Sequence, residues 1–322
     1  MLQRLVLTLF PLLVTLLFTG SLISMTSCTA DTPSAPDTDP QDSTRTEDSL
    51  AYAAADTLCL LQDDEITELS GIAASRRQSP LLWMHNDSGD EPRLFAVDST
   101  GRTLAICRLS DATHIDWEDM ASATLDGIPW LYIGDIGDND AKRDSIIIYR
   151  VPEPLLSTDW DRHPLSVEAE RASFVFEDGP RDSEALAVDA RDGTLILIEK
   201  TGDALAGVYG AAWPGDGGSG MLTRMGSIDI PFSFSILRYV TGADLSVEGD
   251  RMVVRCYGGI IESNVMETHP LSAHFTNPDW KLLPAAALFQ PEAVCYSRDG
   301  RQILTGSEGN NTPILRFRVL QP

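Results

Sequence analysis

Asp182-Ser183-Glu184-Ala185-Leu186-Ala187 is a polar lead running into a small, apolar stretch. The same grammar returns at Leu69-Ser70-Gly71-Ile72-Ala73, Asp116-Trp117-Glu118-Asp119-Met120-Ala121, Thr241-Gly242-Ala243-Asp244-Leu245-Ser246 and Gln290-Pro291-Glu292-Ala293-Val294-Cys295. Aligning Ser70, Glu118, Glu184, Ala243 and Glu292 gives a period of about 50 to 65 residues, the length of a four-stranded unit. A second apolar run follows each lead and ends in polar residues: Asn86-Asp87-Ser88, Gly134-Asp135, Glu199-Lys200, Arg255-Cys256-Tyr257 and Ser307-Glu308. A third run comes after every one. The runs are short, rich in β-branched and aromatic residues, and separated by Gly, Asp, Asn and Pro turns, with no helical period. The expected fold is therefore an all-β propeller of five blades. A sixth around 166–177 or 207–234 stays open. The last unit lacks an outer strand, and Thr57-Leu58-Cys59-Leu60-Leu61 stands ready to supply it and close the ring.

The region ahead of the repeats has another character. Arg4 precedes an apolar stretch from Leu5 to Met25, which closes on Met25-Thr26-Ser27-Cys28. A basic start, an apolar middle and a small-residue end mark an export signal. The ending resembles the lipobox of bacterial lipoproteins, with Met25 where Leu is usual; that likeness implies cleavage before Cys28 and a lipid on its sulfur. An uncleaved membrane anchor is the other reading, since the stretch is long enough to span a bilayer. The expected organisation is a signal peptide over 1–27, lipidated Cys28 with a disordered tether over 28–50, and a propeller over 51–322. The tether's Asp, Ser, Thr and Pro cannot bury enough apolar surface to hold a fold. Either reading places the protein at a membrane of the cell envelope, with the outer membrane preferred.

Charge narrows the partners. With 24 basic against 48 acidic residues the chain carries a net charge of −24, which argues against nucleic acid, a partner that demands a positive footprint. Cys59, Cys107, Cys256 and Cys295 have no metal-knuckle spacing and read as buried thiols in strands.

His85-Asn86-Asp87-Ser88-Gly89, Asp116 to Asp119, Gly134 to Asn139, Tyr149 to Pro154, Ser183 to Leu186, Thr241 to Ser246 and Gln290 to Ala293 form an ordered string. Together they resemble a group of uncharacterised bacterial secreted propeller proteins, a likeness that implies a propeller and export and brings no reaction. In that group Gly is usual where Pro291 stands. A fainter likeness, carried by Ser183 to Asp189 and Gly193 to Lys200, runs to the β-propeller phytases and phytase-like esterases.

In a propeller, Glu118, Glu184 and Glu292 would start inner strands and meet at the channel mouth. Asp87, Asp135, Glu199 and Glu308 would end the neighbouring strands close by. Carboxylates gathered on one axis repel one another unless a counter-charge joins them. A hard cation held by oxygen would resolve this, and six to eight ligands suit Ca²⁺. Hence Glu118, Asp135, Glu184, Glu199, Glu292 and Glu308 are candidate metal ligands. Carboxylates that lock blade to blade without metal explain the same pattern. Asp87, Lys200 and Arg255 are candidates for binding a ligand, the two cations suiting a small phosphate or carboxylate. The composite expectation is a membrane-anchored propeller whose acidic channel binds a ligand or surface protein. A Ca²⁺-dependent phosphoesterase or esterase is the alternative.

Overall fold

The computed structural model describes residues 51–265, 271–275, 279–284, 288 and 290–320. The signal, Cys28 and the tether fall outside the described residues. Strand β1 (Asp56–Leu60) is followed by blade 1, made of β2 (Leu69–Ala74), β3 (Leu81–Asn86), β4 (Arg93–Asp98) and β5 (Thr103–Ser110). Blade 2 begins with β6 (Trp117–Leu125), β7 (Ile128–Asp135) and β8 (Ile146–Pro152). The chain then extends through β9 (His163–Glu168) and β10 (Glu170–Phe176). Blade 3 holds β11 (Ser183–Val188), β12 (Leu195–Glu199), β13 (Leu205–Ala211) and β14 (Ser219–Asp229). Blade 4 holds β15 (Val240–Leu245), β16 (Arg251–Cys256), β17 (Gly259–Asn264) and β18 (Lys281–Leu282). Blade 5 holds β19 (Pro291–Tyr296), β20 (Gln302–Ser307) and β21 (Pro313–Arg318).

The inner strands β2, β6, β11, β15 and β19 each pack against the next, and β19 against β2, so the ring closes with five blades. Strand β1 pairs antiparallel with β21, Asp56 opposite Arg316 and Leu60 opposite Pro313, supplying the outer strand of blade 5. The expected closure is thus present. The two stretches that left a sixth blade open have other uses. Residues 205–229 are the outer half of blade 3. Residues 163–176 form a belt, in which β9 adds parallel to β5 of blade 1 while β10 pairs with both β8 of blade 2 and β14 of blade 3.

Strand periodicity builds the core. Leu195 and Leu197 pack toward blade 2, and the alternate Ile196 and Ile198 toward blade 4. Every blade is covered on both faces in this way, which is why the strands read as continuous apolar runs. Inner strands converge on the axis and tolerate little bulk there, so Gly71, Ala73, Ala121, Ala185, Ala187, Gly242 and Ala293 occupy them. Cys59, Cys107, Cys256 and Cys295 are buried free thiols, as their spacing suggested.

Candidate functional site

All five inner strands start with a β-bulge against their second strand, an irregularity that re-aims one side chain. The breaks fall between Leu69 and Gly71, Trp117 and Asp119, Ser183 and Ala185, Val240 and Gly242, and Pro291 and Val294. Ser70, Glu118, Glu184, Thr241 and Glu292 are therefore equivalent. The sequence alignment placed Ala243 in that set; the register puts Thr241 there, two residues earlier. Blade 4 has no acidic residue at its bulge to mark the position, so the pattern slipped along the chain.

These bulges, with the leads before them and the residues after each second strand, build an acidic mouth at one end of the channel. Carboxylate oxygens of Asp87, Asp116 and Glu118 lie within 4.8 Å of one another. Gly137 covers them: a Cβ built on it would collide with the carboxylates of both Asp116 and Glu118, so only glycine leaves the cradle open. Burial and the neighbouring Asp87 push the Asp116 carboxyl up to about 6. Burial, then the Glu184 charge, holds Glu118 well above the usual carboxylate range. Three acids drawn together against their own repulsion are chemically suited to a hard cation. Asp87 and Asp116 are partly exposed while Glu118 is buried, so one side of the cradle faces solvent.

The other sequence-derived candidates take distinct places. Glu184 is ion-paired with Lys200, whose charge is favoured by Glu184, Tyr257 and Glu292 against the cost of burial. The Tyr257 hydroxyl donates to Glu292 Oε1 at 3.1 Å. Gln290 donates to Glu308 Oε2 at 2.8 Å, and burial together with Asp87 lifts Glu308 to about 7. These groups share the mouth with the Asp87, Asp116 and Glu118 cradle. Asp135 and Glu199 are turned to other partners. Asp135 is fully buried, bonded to Arg143 at 2.8 Å, and accepts the amides of Ile115 and Asp116 at 3.3 and 3.2 Å. It fastens the segment that carries Asp116. Glu199 pairs with Arg181 and accepts the Gly207 amide at 2.7 Å. Arg255 is 2% exposed, and its Nε has no hydrogen-bond partner among the described residues. Burial lowers it to about 10.

Two carboxylates that the repeat did not single out hold the ring beneath the mouth. Asp119 has no exposure; its Oδ2 accepts Leu186 N of blade 3 at 2.9 Å and Ala243 N of blade 4 at 3.0 Å, while Oδ1 accepts Met120 N at 2.8 Å. Asp244 accepts Tyr296 N of blade 5 at 2.8 Å and Leu245 N at 2.9 Å. Carboxylates that accept backbone amides across blades thus exist at Asp119 and Asp244, whereas of the bulge glutamates Glu292 reaches the neighbouring blade through the Tyr257 hydroxyl. Asp119 was visible inside Asp116-Trp117-Glu118-Asp119, but only closure of the ring shows that it crosses to two other blades. Asp116 likewise stands in that motif, two residues from Glu118, and the bulge brings the two together.

The fold and this acidic mouth define a five-bladed β-propeller with a candidate cation site at one end of its channel. Comparison with known protein families found no match, and comparison with curated proteins found no relative. Among solved structures the chain is similar to a gluconolactonase, XC5397 from Xanthomonas campestris, at 13% identity over 83% of this chain and 89% of that one, with a TM-score of 0.42. It is also similar to a chain of a mitotic checkpoint complex, at 14% identity over 78% of this chain and 63% of that one, with a TM-score of 0.36. The assignment of blades rests on the strand pairing itself.

Proposed function

We propose that the protein is exported, lipid-anchored through Cys28 in the bacterial cell envelope at the outer membrane, and uses its acidic mouth to hold Ca²⁺ and bind a ligand or surface partner. The gathering of Asp87, Asp116 and Glu118 under Gly137 carries the metal-binding part of this reading. A bound cation would neutralise the cluster and polarise an oxygen placed on its open side. Asp135 and Arg143 position Asp116, and Lys200 pairs with Glu184 while its charge also acts on Asp87 and Glu118, so the cradle and the second acidic group share one counter-charge. A small anionic ligand could reach the cation beside Lys200; Arg255 lies deeper, between blades.

The test is calorimetric titration of Ca²⁺ and Mg²⁺ into the metal-free protein, with thermal melts in Ca²⁺ and in EDTA. A single tight Ca²⁺ equivalent, lost in Glu118→Gln and in Gly137→Ala while both variants stay folded, supports the site. No heat and no shift in melting would sink it. Mass spectrometry of the detergent-extracted protein decides lipidation of Cys28 separately.

A second reading is favoured by the open side of the cradle: a metal-dependent phosphoesterase or esterase of the phytase-like kind, working at the same mouth. Glu184 is then the candidate base, released from Lys200 when substrate binds. Turnover of p-nitrophenyl phosphate or acetate that needs Ca²⁺ and is lost in Glu184→Gln with metal affinity retained would establish it. No turnover of either leaves the binding reading.

A further inference from the structure

On the face away from the mouth, the chain enters the propeller beside a cluster of arginines. Strand β21 starts just past Glu308 at the mouth and runs to the opposite face, where Tyr52 bridges Val319 and Leu320 N donates to Ala51 O at 2.7 Å. Val319 N in turn donates to Arg301 O at 3.0 Å, and the Arg298 guanidinium donates to Arg77 O at 3.0 Å. Arg77, Arg298 and Arg301 are all exposed. None of the three has an ion pair among the described residues, whereas their neighbours Arg316 and Arg318 share Asp56. Asp299 lies among them and accepts from Ser297 Oγ and Arg301 N. Between blades 5 and 1, next to these arginines, opens a groove of about 720 Å³ lined by Leu58, Leu81 and Leu82 as well as Arg298.

Where residue 51 meets the ring, a chain with a net charge of −24 gathers three exposed arginines around one exposed carboxylate, Asp299, which interacts with Arg301, leaving a local positive excess. We propose that this rim is a membrane-facing surface that sits on anionic lipid headgroups, so that the acidic mouth points away from the bilayer. The inference rests on the lipid-anchor reading for its setting. Basic residues near an anionic surface are attracted within a Debye length, while the acidic mouth is repelled by the same surface. Attachment at the arginine end and repulsion at the other act in one direction, turning a tethered particle toward a single orientation.

Vesicle flotation tests the surface without acylation, using the mature chain with Cys28→Ser; the ring closes within 51–320, so the propeller does not depend on the lipid. Vesicles containing phosphatidylglycerol should bind it and phosphatidylcholine vesicles should not, with raised salt abolishing the difference. The triple variant Arg77→Ala, Arg298→Ala, Arg301→Ala should bind the anionic vesicles more weakly, by on the order of tenfold or more. Equal binding to both vesicles, no binding to either, or native binding by the folded triple variant would each overturn the proposal. In the acylated protein, a fluorophore on Ser79→Cys at the rim should be quenched by a headgroup-attached quencher more than one on Ser88→Cys at the mouth. The native thiols are buried and stay unlabelled. Equal quenching would remove the orientation, while absence of acylation would remove the anchor and leave the flotation result standing.

Discussion

Asp119 shows how one side chain can hold a ring together. Its carboxylate satisfies three amides from blades 2, 3 and 4, and none of those amides has water as an alternative. Burial raises its proton affinity and the three donors oppose that rise. Asp119→Ala leaves the donors orphaned in the core and should cost roughly 3–5 kcal/mol, read from urea unfolding. Asp244 offers a pH test. Burial lifts its carboxyl to about 6, with Arg76 from the β2–β3 turn and the amides of Tyr296 and Leu245 pulling the other way, and with Cys295 and Asp119 nearby. The folded state keeps this proton where the unfolded chain has lost it, so the contribution is complete below the unfolded value and falls as pH rises. Between about pH 4 and 6 this group should remove about 3 kcal/mol of stability. Melting of the metal-free protein across that window should have a shallower slope in Asp244→Asn; an identical slope would mean that Asp244 titrates normally.

Among the elements, β1 and the belt decide integrity. Strand β1 joins the two ends of the described chain by covering β21, and Cys59 and Leu61 fill the core between blades 5 and 1. Without it β21 presents a bare edge, an invitation to pair with another molecule. A chain lacking residues 51–61 should melt at lower temperature and elute as larger species in size-exclusion chromatography; an unchanged monomer would show the ring needs no closure. The belt places Phe174 in the core between blades 2 and 3, with Gly220 of β14 so close that a Cβ there would strike the ring. Phe174→Ala should cost about 3–5 kcal/mol by leaving a cavity, checked by chemical denaturation. Alternating runs, turns and the missing fourth strand of the last unit made the blades and their closure readable in sequence. The belt was not readable, because an edge strand pairing in parallel with distant strands leaves no local mark.

For the molecule as a whole, the excess of acid should make stability depend on ions. Added Ca²⁺ at about a hundredfold over its dissociation constant should raise stability by about 2.7 kcal/mol through mass action, and EDTA should reverse it. Glu118→Gln should be indifferent to both. The sequence by itself determined the all-β class and the repeat, with five blades expected and a sixth left open, because short apolar runs and turn chemistry are local properties written every few residues. It also marked Asp87, Glu118, Glu184, Lys200, Glu292 and Glu308 as residues of one mouth, since a repeat placed on a ring must bring its equivalent positions together. Tertiary structure alone decided which of them meet: Asp116 joins Asp87 and Glu118 under Gly137, while Asp135 and Glu199 turn to Arg143 and Arg181. It also set Thr241 in place of Ala243, and gave the locking role to Asp119 and Asp244. The reason is physical. A bulge turns a side chain through the register of its partner strand, and an amide across the channel becomes a neighbour only when the ring has closed.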